Sequence, residues 1–283
     1  MRALTGFREI ADAYDGFIID LWGVIHDGVT PYAGAVDCLL ALRDAGRPTV
    51  LLSNAPRRVH VAQHAMRGMG IADALYTDLL TSGEQTWRML RDRDDPFFAG
   101  LGDRVFHLGP DRDRNVIEGL KLQRVAQPAD ADFVLNTGPD ETSSVEVLEP
   151  HLPVLHDCHA AGLPMICANP DLEVIRGGRR VICAGLLTQY YERLGGRTRW
   201  IGKPDPAIYT PVLARLGLPA SRVLAVGDAL RTDIAGAASA GVDACWVLGG
   251  IHGDELAGDP ARAQAAAAAA GLAPVASLAA FVW

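Results

Sequence analysis

The sequence predicts an α/β protein built on a doubly wound parallel sheet, with a second α/β unit inserted into it. Three observations point there. Short apolar runs rich in β-branched residues recur along the chain, helical stretches alternate with them, and three of the runs end in polar groups. Alternating strand and helix is the pattern of a parallel sheet covered by helices. In such a sheet the ligand crevice lies beyond the carboxyl ends of the strands.

The runs are GFIID (16–20), PTVLLSN (48–54), RVFHLG (104–109), DFVLNTG (132–138), PMICANP (164–170) and RVLAVGD (222–228). Most are apolar on both faces, as strands buried from both sides are. Between them, AGAVDCLLALRDAG (33–46) and PAIYTPVLARLG (206–217) read as helices. The latter opens on Pro206, favourable in a first turn, and stops at Gly217, a natural C-cap. The alanine run AQAAAAAAG (263–271) reads as a partly exposed terminal helix. The stretch from Thr81 to Arg197 has its own strand and helix alternation and falls between the second and third polar strand ends. It is expected to form an inserted domain over 81–197, with 1–80 and 198–283 making one core.

Composition narrows the function. The 283 residues are 49% hydrophobic and 21% charged, values of a globular protein with a substantial core. A net charge of −8 argues against a nucleic-acid partner, which needs an excess of Lys and Arg. A small anionic substrate is compatible with it, since one Lys and one cation reverse the field within a cleft. Five scattered cysteines with no Cys-x-x-Cys pair read as reduced thiols. The first residues carry no apolar run suited to a signal peptide, and no stretch of about 18 apolar residues occurs, so a cytoplasmic location without membrane association is expected.

The polar strand ends carry chemistry. Asp20, Ser53 with Asn54, and Asp228 would converge on one crevice if their strands are neighbours. Phosphoryl transfer to a carboxylate needs a nucleophile, a cation, and donors for the phosphoryl oxygens. Asp20 is a candidate nucleophile. In VGDALRTD, Asp228 sits at a strand tip and Asp233 on the next helical turn, both suited to a hard cation that prefers oxygen. Ser53 offers a hydroxyl donor, and Lys203 in IGKPDP offers a balancing charge. Taken singly, an Asp after a strand is often only a turn or cap, and a Lys in a Gly-Lys-Pro turn is a surface residue. Their order and shared position at strand ends argue for a site.

These residues resemble the four motifs of the haloacid dehalogenase superfamily: IIDLWGV motif I, LLSN motif II, GKP motif III and VGDALRTD motif IV. ICANPD (166–171) resembles the Asn-Pro-Asp of the C2-type cap in subclass IIA. The resemblance covers nearly the whole chain. It implies a Rossmann-like core with an inserted C2-type cap, and a magnesium-dependent phosphatase acting on a small phosphorylated metabolite. Asp20 would form an aspartyl-phosphate, Ser53 and Asn54 would bind phosphoryl oxygens, and Lys203 would steady the charge. Asp20, the backbone carbonyl of Trp22, and Asp228 would hold Mg²⁺, with Asp233 beside them. Asn169 and Asp171 of the cap, and Arg57 beyond motif II, are expected near the substrate. A homodimer through the cap is a further expectation from the family.

Motif I departs from the pattern, because phosphatases of this family carry Asp two residues after the nucleophile and this chain has Trp22. That Asp protonates the leaving oxygen and deprotonates the attacking water. An indole has one weak donor and no basic site. A general acid–base is worth about 10²–10⁴-fold. Three accounts follow: a substrate with a stable leaving anion, such as an acyl or aryl phosphate; a replacement donor at His26 or Asp27; or a weak site that serves a phospho-ligand- and metal-binding regulator. Other classes fit less well. Arg197 and Pro204 break a P-loop around Gly202-Lys203, and the first strand lacks a Gly-x-Gly-x-x-Gly. His156, Cys158 and His159, near His151, lack the usual zinc spacing and read as a helix face.

Overall fold

A computed structural model describes residues 1–283. Its strands are, in chain order, Arg2–Leu4 (β1), Gly16–Ile19 (β2), Thr49–Ser53 (β3), Asp78–Thr81 (β4), Arg104–Leu108 (β5), Gln123–Val125 (β6) and Phe133–Asn136 (β7). They continue with Met165–Cys167 (β8), Glu173–Arg176 (β9), Arg179–Ile182 (β10), Thr198–Trp200 (β11), Val223–Gly227 (β12), Asp243–Val247 (β13) and Ala276–Leu278 (β14). The six apolar runs of the sequence become β2, β3, β5, β7, β8 and β12.

Two parallel sheets result. A seven-stranded sheet has the order β1-β14-β13-β12-β2-β3-β4, and a five-stranded sheet the order β11-β8-β7-β5-β6. In the larger one, successive residues of a strand enter different cores. Phe17, Ile19, Leu51 and Val226 join one apolar cluster, while Ile18, Val50, Leu52 and Ala225 join another on the opposite face. The period of two explains why these runs read as apolar throughout. Cys38, Leu39 and Leu42 of the helix Ala35–Asp44 cover the first face; Tyr209, Val212 and Leu216 of the helix Tyr209–Leu216 cover the second. Each such leucine contributes about 1.5–3 kcal/mol by leaving water. Gly217 ends the latter helix in the left-handed region, as its position after the apolar stripe predicts. No helix is long and apolar enough to cross a membrane.

The boundary expected at residue 198 shifts. Residues 198–200, assigned to the core from sequence, form β11 and pair with β8 at the edge of the smaller sheet. The larger sheet's chain therefore resumes after Trp200. A three-residue strand carries no mark of which of two parallel sheets it will join, and the pairing decides.

The order of the larger sheet fixes where a ligand can sit. From β2 the chain winds outward to β3 and β4; on return it lays β12 against the other side of β2 and winds the opposite way. β2 and β12 therefore flank the reversal point, where helices diverge to opposite faces and leave a crevice. The antiparallel hairpin β9–β10 turns at Gly177-Gly178, both with positive φ, and its first strand reaches this crevice.

Candidate active site

Asp20 follows the last residue of β2, and Asp228 follows the last of β12, so the register of neighbouring strands brings both carboxylates to the reversal point. Asp233 lies one turn beyond Asp228, in the helical stretch Leu230–Ile234. Ligand-capable oxygens of Asp20, Asp228 and Asp233 lie within 4.8 Å of one another, and all three residues are buried. Gly23, at φ +77°, lets the loop after β2 lie against Asp228; a β-carbon there would overlap the carboxylate. Asp228 Oδ2 accepts the Ile251 N–H at 2.6 Å, leaving Oδ1 free of protein partners.

Lys203 enters the same space from the loop after β11. Its ammonium donates to Asp20 Oδ1 at 2.6 Å, Asp233 Oδ1 at 2.6 Å and the Leu52 carbonyl at 3.0 Å, which uses all three protons. Asp233 Oδ2 accepts from Ala229 N–H at 3.0 Å, so Asp233 is engaged through both oxygens, whereas Asp20 Oδ2 has no protein partner. Burial works against the charge on Lys203, but Asp20 and Asp233 outweigh it and raise its pKa above the ordinary lysine value. Burial and then the Asp233 charge push Asp20 up to about 8, against the pull of Lys203. Burial and the neighbouring carboxylates also raise Asp228. Three buried carboxylates face one ammonium, an all-oxygen set that fits a hard divalent cation.

Ser53 ends β3 and is buried; its Oγ accepts the Ala55 N–H at 3.2 Å and its proton has no acceptor. The side chain of Asn54, a residue expected to bind phosphoryl oxygens, is hydrogen-bonded within the protein. Its Oδ1 accepts from Lys203 N–H at 2.8 Å and Ser82 Oγ at 3.2 Å, and its Nδ2 donates to Asp171 Oδ1 at 2.9 Å and the Lys203 carbonyl at 3.2 Å. With every amide position occupied, Asn54 ties the Lys203 loop to Asp171, which follows β8 of the smaller sheet.

A cavity of about 190 Å³ opens over this cluster, walled by Asp20, Trp22, Asp228, Asp233 and Arg231 and roofed by Asp171 and the hairpin residues Glu173–Ile175. A second cavity of about 80 Å³ adjoins it, and Trp22, Asp171 and Val174 line both. Arg57 and Asn169 belong to the second one. Arg57 pairs with buried Asp113 at 2.9 Å, and Asn169 accepts the Asp171 N–H at 3.1 Å.

Trp22 covers Gly28, where a β-carbon would strike the indole, and meets His26 edge to face at 5.4 Å. The two replacement donors considered from sequence lie on this loop, outside both cavities. Asp27 Oδ1 accepts from Val29 N–H and Thr30 N–H at 2.9 and 2.7 Å, and these backbone bonds, overcoming burial, hold its pKa below the ordinary value. His26 Nδ1 accepts the Gly28 N–H at 3.0 Å, and burial pushes its pKa down to about 4. In the helix Leu152–Ala160, His156 Nε2 bonds the Tyr190 hydroxyl at 3.1 Å, and Cys158 is buried in the core.

Sequence reasoning passed over Arg231, Ser82 and the hairpin. Arg231 lies inside VGDALRTD and was open to notice; it donates to the Pro170 carbonyl across the crevice. Ser82 and the hairpin carry no local signal, since their roles depend on contacts between the two sheets.

Comparison with known proteins agrees with this geometry. Residues 17–123 match the haloacid dehalogenase-like hydrolase family, and residues 200–274 match a HAD-hydrolase-like family. D-glycerol 3-phosphate phosphatase of Mycobacterium tuberculosis is 31% identical over 264 residues, spanning 90% of this chain and 69% of the relative. A hydrolase of the haloacid dehalogenase-like family from Brucella suis superposes with a TM-score of 0.85 at 32% identity, over 99% of this chain and 100% of the other. The glycerol phosphate phosphatase of M. tuberculosis in complex with magnesium gives a TM-score of 0.64 at 26% identity, over 86% and 70% of the two chains. The chain belongs to the haloacid dehalogenase-like hydrolase family, in its subclass IIA.

Proposed function

We propose that this enzyme of the phosphoric monoester hydrolase class works on a small phosphorylated metabolite through an aspartyl-phosphate at Asp20. One observation carries the reading: Lys203 lies 2.6 Å from both Asp20 and Asp233, in a cluster with Asp228, at the reversal point of the parallel sheet. Asp20 Oδ2 is the free nucleophilic oxygen. Its attack on phosphorus breaks the bond to the leaving oxygen, and water then cleaves the acyl phosphate and regenerates the carboxylate. Lys203 fixes Asp20 through Oδ1 and balances charge that the phosphoryl group brings. The Ser53 hydroxyl supplies a donor for a phosphoryl oxygen.

A divalent cation, Mg²⁺ by the family's pattern, would be held by Asp20, Asp228 and the Trp22 carbonyl, with Asp233 acting at the edge of the set through Lys203. When bound it neutralises charge on the phosphoryl oxygens. The hairpin and Asp171 roof the crevice and limit access of bulk water to it, so that specificity falls to the inserted unit. Arg57, Asn169 and the second cavity would take the far end of the substrate. Five buried, unpaired thiols fit a reducing cytoplasm.

The test is phosphate release from p-nitrophenyl phosphate, acetyl phosphate, sugar phosphates and nucleoside monophosphates, with Mg²⁺ or with chelator, beside Asp20→Asn. Release that requires Mg²⁺ and vanishes in the variant is expected. No release from any substrate, with Mg²⁺ and phosphate still bound, makes the chain a phospho-ligand-binding regulator instead.

A further inference from the structure

We propose that Asp171, brought to the crevice by the inserted unit, is the proton donor and acceptor of the reaction, the role for which position 22 offers only an indole. This inference rests on the phosphatase reading of Asp20. Asp171 lines both the cavity over the carboxylate cluster and the one that adjoins it. Its orientation is fixed on one side only. Oδ1 accepts from Asn54 Nδ2 at 2.9 Å, its backbone N–H donates to Asn169 Oδ1 at 3.1 Å, and Oδ2 makes no hydrogen bond. Asn54 cannot turn away, because its Oδ1 holds Lys203 N–H and Ser82 Oγ. One carboxyl oxygen is thus held, and the other is open to a ligand.

The other carboxylates lining the two cavities outside the cluster are paired with arginines: Asp113 with Arg57 and Glu141 with Arg112 and Arg176. Glu173 pairs with Arg180. His252 lies beside Glu255 at 3.4 Å and receives the Leu230 N–H at 3.5 Å. Asp27 and His26 line neither cavity, while Asp20, Asp228 and Asp233 form the phosphoryl site. Burial raises the Asp171 pKa against the pull of Lys203 and Asn54, so that its protonated form is more available than an exposed aspartate's.

The step balances. As the Asp20–phosphorus bond forms and the bond from phosphorus to the leaving oxygen breaks, the Asp171 proton passes to that oxygen and an alcohol departs. Asp171, now a carboxylate, takes a proton from the attacking water; the Asp20–phosphorus bond breaks, and inorganic phosphate leaves. Because the donor sits on the inserted unit and the nucleophile on the larger sheet, turnover of alkyl phosphates requires the two to be held together, which Asn54 does.

Asp171→Asn tests this, since an amide keeps an acceptor for Asn54 but carries no transferable proton. Rates are measured with Mg²⁺ on p-nitrophenyl phosphate and on two alkyl phosphates, glycerol 3-phosphate and a hexose 6-phosphate. Expected is a fall of about 10²–10⁴-fold on the alkyl phosphates. With p-nitrophenyl phosphate, whose leaving anion needs no proton, a burst of p-nitrophenol approaching one equivalent precedes slow turnover, because hydrolysis of the aspartyl-phosphate has lost its base. Three results overturn the proposal: alkyl turnover within about three-fold of the unaltered enzyme, both substrate types slowed alike with no burst, or an unaltered enzyme that cleaves only p-nitrophenyl phosphate. An unaltered enzyme that releases phosphate from nothing, or Asp20→Asn matching it, removes the phosphatase reading itself.

Discussion

His26 illustrates how a single side chain is decided by its surroundings. It is 3% exposed, accepts the Gly28 N–H through Nδ1, and packs edge to face on Trp22. Burial is the main reason its pKa falls to about 4; Asp27 acts in the opposite sense and Arg57 reinforces the fall. The unfolded chain takes up this proton near pH 6.5, while the folded chain resists until about pH 4. Acid therefore favours unfolding: stability is full above about 6.5 and declines as pH drops toward 4. By pH 4.5 the loss from His26 is about 2–3 kcal/mol. His26→Asn keeps an acceptor for Gly28 and removes the titration. Urea unfolding at pH 7 and pH 4.5 should show the difference between the two pH values shrinking by that amount; an unchanged difference contradicts the assignment. The sequence placed His26 beside the site but not its loop geometry, because a three-residue turn around Asp27 has no periodic pattern to read.

At the scale of elements, the helix Ser82–Asp92 links β4 of the larger sheet to the smaller one. Thr81 caps it by accepting the Glu84 N–H at 3.0 Å, and its hydroxyl donates to the Arg57 carbonyl. Glu84, at the third helical position, turns to Arg58 at 2.6 Å rather than back to the cap. Thr81→Ala is expected to cost about 1–2 kcal/mol in denaturant unfolding; a change below about 0.5 kcal/mol would mean the helix is held by packing alone. The strands themselves were readable because both sheet faces are covered, which favours apolar residues on both sides of β2, β12 and the interior of β3. The short edge strands β6 and β11 escaped, and residues 198–200 were grouped with the core although they pair with β8, since three residues cannot declare a partner.

Across the whole molecule, the Asn54 amide joins four segments: its own strand end, Ser82 after β4, Lys203 after β11 and Asp171 after β8. Asn54→Ala would strand the Lys203 backbone groups, the Ser82 hydroxyl and Asp171 Oδ1 in a largely buried setting. An unpaired buried polar group costs about 1–3 kcal/mol, with relaxation and water recovering part of the sum. A total loss of about 3–5 kcal/mol is expected, read by calorimetry as a lower Tm and as separate unfolding of the two sheets. A single transition with an unchanged Tm would show that the sheets are held together by other contacts.

The sequence by itself determined the family, the parallel sheet and the acidic and basic residues at its strand ends. Those properties are local: burial on both faces dictates apolar strands, and a strand that stops beside a ligand must stop on a polar group. The tertiary structure decided what each polar group is free to do. It committed the Asn54 side chain and Asp233 to internal hydrogen bonds, drew Arg57 to Asp113, and brought Asp171 to the crevice with one oxygen unspent. A hydrogen-bonding atom is available for chemistry only when no protein partner has claimed it, and the Asn54 partners Asp171 and Lys203 come from segments more than a hundred residues away.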